Sequence, residues 1–254
     1  MAAEPDTAPF SSHGKTVLVT GGGSGIGAAI AQELSRASAH VLVADINLPA
    51  AEVVASNLPN ARALALDVTS PESIQQVVSA LHSLDILINN AGIGLVGDIA
   101  HTSHADFSRI MQVNAESVFL VTQAALPLLL RSRGAVVNIA SVAGLVGIRQ
   151  RFAYCASKGA VIAMTRQLAI DYPTELRVNC ICPGTVDSPF VAGYLAKYHA
   201  GEELEVREQL KARQPVGRLG QPAEVASLVR YLCSPEADFM QGSVLTLDGG
   251  WTAA

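Results

Sequence analysis

Seven short runs of apolar, often β-branched residues recur along the chain, at Lys15–Thr20, His40–Asp45, Ala61–Asp67, Leu84–Asn89, Ala135–Ala140, Arg177–Cys182 and Ser243–Leu247. They are nearly continuous in polarity rather than alternating. A strand with one wet face alternates with period two, whereas a strand covered on both faces has no polar side to show. Between the runs lie stretches with helical spacing, among them Ile26–Ser35, Phe107–Leu130, Ala153–Asp171 and a helix opening at Ser70-Pro71-Glu72. Ser70 offers a cap there, and Pro71 suits the first helical position, where an N–H has no partner to lose. Strands and helices in repeated alternation predict a parallel, doubly wound α/β sheet with right-handed crossovers. No linker, repeat or low-complexity block divides residues 14–254, which are expected to form one domain behind a loose tail over residues 1–13.

Composition narrows the partners. Of the 254 residues 50% are hydrophobic and only 15% charged, with a net charge of −5. An average soluble domain carries roughly 25% charged residues, so charge is scarce here and its placement is informative. Lys and Arg form no run, which argues against nucleic acid, a polyanion that needs a basic face. The longest apolar stretch, Ser117–Leu130, contains Thr122, Gln123 and Pro127 and falls short of the roughly 18 residues of a membrane span. It reads as a buried helix, with no membrane partner. The N-terminus has no signal-like layout, so a cytoplasmic protein is expected. Cys155, Cys180, Cys182 and Cys233 lie in apolar segments without a C-x-x-C pair and read as buried, reduced thiols. Six histidines without clustered carboxylates offer no metal site.

The first apolar run leads directly into Thr20-Gly21-Gly22-Gly23-Ser24-Gly25-Ile26-Gly27 and then a helix. Glycines in that context let the chain turn tightly and let backbone N–H groups approach a pyrophosphate at the helix N-terminus. The strict G-x-G-x-x-G form, read from Gly23, ends in Ala28. Asp45 closes the next strand, twenty positions after Gly25. A carboxylate there takes the adenosine ribose hydroxyls and repels the extra phosphate of NADP. No Arg or Lys lies in the loop or directly after Asp45, so NAD is the expected cofactor. Asp67-Val68 and Asn90-Ala91-Gly92 end later strands at the same sheet edge, where short polar groups and open backbone suit adenine and its ribose.

Tyr154 and Lys158 share one helix face at i,i+4 spacing. A free Tyr titrates near 10, so a base useful near neutrality needs roughly three units of depression, about 4 kcal/mol. The Lys ammonium and a positive nicotinamide ring are the expected sources. Ser141, thirteen residues before Tyr154 at a strand end, is placed to hydrogen-bond the reacting oxygen. Residues 187–215 form a lid-like insert, with helical spacing at Val191–Tyr198 and Glu202–Ala212. It follows a strand's carboxyl end, where α/β sheets bind ligands.

Taken in order over residues 14–251, Thr20–Gly27, Asn89–Gly92, Ser141, Tyr154 with Lys158, Pro183-Gly184 and Asp248-Gly249-Gly250 resemble the short-chain dehydrogenase/reductase family. The resemblance implies a single Rossmann-type doubly wound domain, with a seven-stranded parallel sheet and helices on both faces. It also implies a homotetramer built on Phe107–Leu130, Ala153–Asp171 and the C-terminal strand. It casts Tyr154 as general base in alcohol oxidation and as acid in the reverse direction. Lys158 would lower the phenol pKa and hold the nicotinamide ribose, and Ser141 would steady the reacting oxygen. Asn114 would anchor a water linking Lys158 to solvent. Pro183, Gly184, Thr185 and Val186 would lie beside the nicotinamide.

Arg149, Gln150 and Arg151 stand just before Tyr154, and Arg213 and Gln214 follow the helical part of the insert. The planar fork of Arg matches a carboxylate, so these five residues are expected to bind a small acidic hydroxy substrate. Pro183–Pro189, Lys211–Gln214 and Asp248–Trp251 resemble a narrower subgroup acting on 2-keto-3-deoxy sugar acids, 3-hydroxybutyrate or cis-4-hydroxyproline. The Arg149–Arg151 cluster departs from the hydroxybutyrate pattern, which favours 4-dehydrogenation of 2-keto-3-deoxy-L-fuconate in sugar-acid metabolism. A 3-oxoacyl-carrier-protein reductase shares these motifs, but Asp45 and the acidic net charge oppose it. A non-catalytic NAD-binding scaffold has little need of Ser141, Tyr154 and Lys158 together.

Overall fold

In the structure, a computed structural model describing residues 9–254, seven strands make one sheet: β1 Thr16–Thr20, β2 His40–Asp45, β3 Ala61–Ala65, β4 Ile86–Asn89, β5 Ala135–Ile139, β6 Arg177–Pro183 and β7 Val244–Leu247. Their order is β3-β2-β1-β4-β5-β6-β7 and every pairing is parallel. The helices are α1 Gly25–Arg36, α2 Leu48–Ser56, α3 Pro71–Ser79, α4 His104–Met111, α5 Ser117–Ser132, α6 Phe152–Asp171, α7 Pro189–Tyr198, α8 Glu203–Ala212 and α9 Pro222–Cys233.

The continuous apolarity of the strands has the expected cause. Val17 and Val19 of β1, with Val41, Val43, Ile86 and Ile88, pack with Ile30 and Leu34 of α1 and Val225 and Val229 of α9. The intervening residues, Leu18, Leu42 and Leu87, turn to the other side and meet Ile74 of α3 and Val121, Ala125 and Leu129 of α5. Each Val, Leu or Ile among them, fully buried, contributes about 1.5–3 kcal/mol, and both faces must be covered to collect it.

Three features depart from the sequence reading. The helix expected over 107–130 starts at His104, where Ser103 Oγ accepts the Asp106 N–H at 3.0 Å, and is interrupted by a π-helical turn at Gln112–Glu116. The whole stretch His104–Ser132 is long and apolar enough to cross a membrane, the one such helix among the described residues. Here Ile110, Val118, Val121, Ala125 and Leu129 of that stretch are buried within the domain. Helix α2, capped by Asn47 accepting from Ala50 N, has no counterpart in the pattern. Its Ala-Ala-Glu-Val-Val sequence gives little contrast between faces, so periodicity is faint.

Positions 1–8 of the expected tail lie outside the described residues. From Pro9 onward the chain is held rather than loose. The Phe10 ring meets Tyr231 edge-on at 5.6 Å, Arg230 donates to the Pro9 and Phe10 carbonyls at 2.9 and 3.0 Å, and Ser12 is fully buried. All four cysteines are free thiols; Cys180, Cys182 and Cys233 are buried and Cys155 half-buried. In the insert, α7 and α8 close a small core of Val191, Leu195, Val206, Leu210 and Leu219, and Arg207 pairs with Asp187 at its base.

Candidate active site

Parallel strands place all their carboxyl ends at one edge, and the strand order reverses between β1 and β4. A crevice opens at such a switch point. The cleft found there has a volume of about 810 Å³.

One half of it is built on backbone. Gly21, Ser24, Gly25 and Ile26 line the cleft, and Gly21 takes a φ of +62° that side-chain-bearing residues resist. Gly27 lies behind the loop and does not line the cleft; a Cβ on it would sit 2.1 Å from the Gly21 carbonyl oxygen. Its role is the close approach of α1 to β1. No side chain caps α1 and no acidic residue stands in its first turn, so its orphan N–H groups are left for an anion. Asp45 lines the cleft beside the loop, its two oxygens accepting from Gly23 N and Asn47 N, both at 2.9 Å. Asp67, Val68, Asn90, Ala91 and Gly92 line the same end. Asn90 Nδ2 donates to the carbonyls of Thr20 and Gly21 at 3.0 Å, and Thr20 Oγ1 accepts from the Asn90 and Ala91 N–H groups. Thr20 is thus a clamp between two strand ends that the sequence reading missed. Donors at a helix N-terminus, a bare glycine cradle and a fixed carboxylate one strand away fit a dinucleotide.

The other half carries side-chain chemistry. Ser141, Tyr154 and Lys158 all line the cleft, as do Pro183, Gly184, Thr185 and Val186. Lys158 is buried at 5% exposure; its Nζ donates to the Ile139 carbonyl at 2.9 Å and stands 5.9 Å from the Tyr154 ring centroid. Burial pulls its pKa down to about 8. Burial pushes the Tyr154 phenol up, and this outweighs the hydrogen bond with Ser141 and the charge of Arg151, which pull it down. The depression expected from Lys158 is therefore not present in the protein alone: the downward pulls come from Ser141 and Arg151.

Asn114 occupies the π-helical turn, fully buried and away from the cleft lining. Its Oδ1 accepts from Ile93 N at 2.8 Å, while Nδ2 donates to Ile93 O at 2.9 Å and Ser157 Oγ at 3.2 Å. A Cβ on Gly92 would lie 3.3 Å from Asn114 Oδ1 and 3.6 Å from Lys158 Nζ, so Gly92 leaves room for both. This amide clamps the Ile93 backbone, and the widened helical turn accompanies it.

The five residues expected at the substrate separate. Arg151 and Arg213 line the cleft; Arg149, Gln150 and Gln214 do not. Arg149 and Gln150 stand exposed on a loop tip where Gln150 adopts φ +56° and its carbonyl accepts from Gly97 N. Gln214 is buried and donates to the Arg218 carbonyl at 2.8 Å, a structural bond. Arg218 itself is spent on Glu224, whose carboxyl it draws down to about 2. Arg151 donates to the Leu95 carbonyl at 3.0 Å and stacks 4.4 Å above the Tyr194 ring; Arg213 lies 5.8 Å from the Trp251 ring. Phe190, Tyr194 and Lys197 of α7, together with Trp251, complete this end and were missed. Their i, i+4, i+7 spacing was legible as one helix face, but not where that face points. Among the described residues, Arg151, Lys197 and Arg213 form no ion pair.

A glycine cradle at the switch point together with Ser141, Tyr154 and Lys158 defines a nicotinamide-dependent oxidoreductase. The family model described as enoyl-(acyl carrier protein) reductase matches residues 21–252. The chain is 40% identical to 2-(S)-hydroxypropyl-CoM dehydrogenase 3 of Xanthobacter autotrophicus, over 94% of this chain and 97% of that one. It is 37% identical to 2-keto-3-deoxy-L-fuconate dehydrogenase of Xanthomonas campestris, over 98% and 83%. The solved aldohexose dehydrogenase of Thermoplasma acidophilum superposes with a TM-score of 0.88 at 32% identity, covering 95% of each chain. The chain belongs to the short-chain dehydrogenase/reductase family.

Proposed function

We propose that this enzyme uses NAD to oxidise the secondary alcohol of a small carboxylate-bearing substrate, with a 2-keto-3-deoxy sugar acid as the favoured member. The observation that carries this reading is Arg151: a half-buried guanidinium without a carboxylate partner among the described residues, three residues before Tyr154, lining the cleft of a chain with net charge −5. Arg213 and Lys197 add positive charge at the same end. The 37% identity to a 2-keto-3-deoxy-L-fuconate dehydrogenase supports the choice of sugar acid. Asp45 supports NAD, since its carboxylate, held by two backbone N–H groups, leaves no room for a further phosphate's charge.

The first turn of α1 and the glycine loop would hold the pyrophosphate, and Asp45 would take the adenosine ribose. The bound nicotinamide supplies the hydride acceptor. Ser141 hydrogen-bonds the substrate oxygen, and Tyr154 removes the hydroxyl proton as the carbinol carbon loses its hydride. Ser141 and Arg151 draw the phenol down, Lys158 stands beside its ring, and Arg151 holds the carboxylate. The decisive experiment is NAD reduction with 2-keto-3-deoxy-L-fuconate, 3-hydroxybutyrate, cis-4-hydroxyproline and the uncharged 2-butanol. An acid should be strongly preferred, and Arg151→Ala should erase that preference. Equal kcat/KM for acids and 2-butanol overturns the carboxylate reading.

A further inference from the structure

The insert helix α7 meets the start of α6 through two rungs. Phe190 lies over Tyr154, ring centroids 6.3 Å apart, and one helical turn on, Tyr194 lies under the guanidinium of Arg151 at 4.4 Å. Phe190 and Tyr194 are four residues apart on α7, and Arg151 and Tyr154 are three apart at the opening of α6, so neighbouring side chains on each helix face meet in register. Tyr194 is itself held from behind. Its hydroxyl is hydrogen-bonded to His199 Nε2 at 2.6 Å, and its ring packs against the small core of α7 and α8. Arg151 has two fixed contacts: the Leu95 carbonyl and the Tyr194 face.

We propose that Tyr194 is a positioning residue: its ring fixes the Arg151 guanidinium beside Tyr154, so that the insert helix sets the enzyme's preference for an anionic substrate. The proposal rests on the carboxylate reading above. A planar guanidinium keeps its donor edge free while its flat side lies on an aromatic ring. Stacking on Tyr194 therefore leaves donors for a carboxylate, which an ion pair with a protein acid would not. The same placement bears on the phenol. The titratable and charged groups around Tyr154 are Arg151, Lys158 and Cys155, and Arg151 is the one that Tyr194 touches.

The test compares Tyr194→Leu, Tyr194→Phe, Arg151→Ala and the Tyr194→Leu/Arg151→Ala double variant, using 3-hydroxybutyrate and 2-butanol. Tyr194→Leu should lower kcat/KM for the acid roughly 3- to 30-fold, the range of a cation–π contact, mainly through KM. The loss with 2-butanol at its optimum pH should be smaller, so that the acid to 2-butanol ratio of kcat/KM falls. Tyr194→Phe keeps the ring and should restore most of the acid preference. The double variant should lose no more than Arg151→Ala alone. With 2-butanol, the rising limb of the pH–rate profile should move to higher pH in both Tyr194→Leu and Arg151→Ala, because the phenol loses a nearby positive charge. If Arg151→Ala keeps the wild-type acid preference but shifts that limb together with Tyr194→Leu, the carboxylate reading fails and the positioning role stands. If Arg151→Ala changes either readout while Tyr194→Leu matches wild type in both, Tyr194 does not position Arg151. Wild-type behaviour of every variant overturns both.

Discussion

The Nζ of Lys158 donates to the carbonyl oxygen of Ile139 at 2.9 Å, inside the cleft. One hydrogen bond does not replace the hydration that an ammonium loses on burial, which is why its pKa falls from 10.5 to about 8. Between those two values the unfolded chain holds the proton while the folded chain releases it. Folding stability contributed by this site therefore rises with pH from about 8 to 10.5, and below pH 8 the full cost of the buried charge is present.

Replacing Lys158 by Met removes that cost and the pH dependence with it. At pH 7 the variant apoprotein is expected to be at least as stable as wild type, as found when buried charges yield to apolar groups of similar size. Its advantage should shrink as pH rises from 8 to 10.5. Denaturant unfolding at pH 7, 8, 9 and 10 checks this. An advantage that grows with pH contradicts the assignment. Turnover should be lost throughout.

In the proposed mechanism Tyr154→Phe deletes the proton acceptor and leaves the glycine loop untouched. A positioned acid–base group contributes typically 10²- to 10⁴-fold, and kcat should fall at least that far. NADH titration should give a Kd within about fivefold of wild type, since one hydrogen bond is worth about 1 kcal/mol net. Near-normal kcat would remove Tyr154 from the mechanism.

On the NAD reading, Asp45→Ala removes the carboxylate that opposes a ribose phosphate. The ratio of kcat/KM for NAD over NADP should fall by at least tenfold. An unchanged ratio means that discrimination lies elsewhere in the cleft.

Gly27→Ala places a Cβ 2.1 Å from the Gly21 carbonyl oxygen, a backbone atom that moves only with its loop. Overpacking of this kind costs about 1–3 kcal/mol, and the displaced loop should weaken NADH binding. Gly147→Ala is the control: nothing lies within 4 Å of its Cβ position, and stability should stay within about 0.5 kcal/mol. Equal effects of the two substitutions would mean that α1 does not need its close approach to β1.

The class of fold was legible because strand burial on two faces writes an apolar run that local sequence shows directly. Each strand lies within two residues of its expected bounds. The glycine loop, Asp45 and the Tyr154/Lys158 pair were legible for a related reason: each sits at a fixed offset from a strand end or along a helix. Gly27 was assigned to the cofactor by the same offset, yet its constraint is the Gly21 carbonyl behind the loop, a contact no spacing displays.

Sequence order reached its limit where residues distant along the chain share one wall. Arg149, Gln150 and Arg151 are equivalent by position, but a positive φ at Gln150 and the Leu95 and Tyr194 contacts leave only Arg151 in the cleft. Gln214 beside Arg213 is buried and structural for the same kind of reason. Strand polarity, helix spacing and the glycine turn are local, and the chain alone determined the α/β sheet and the cofactor edge. The substrate end is assembled from α6, α7, the segment after α8 and the C-terminal Trp251. Only packing of those elements decides which cations meet there, because that choice depends on which face of each helix the cores of the insert and sheet consume.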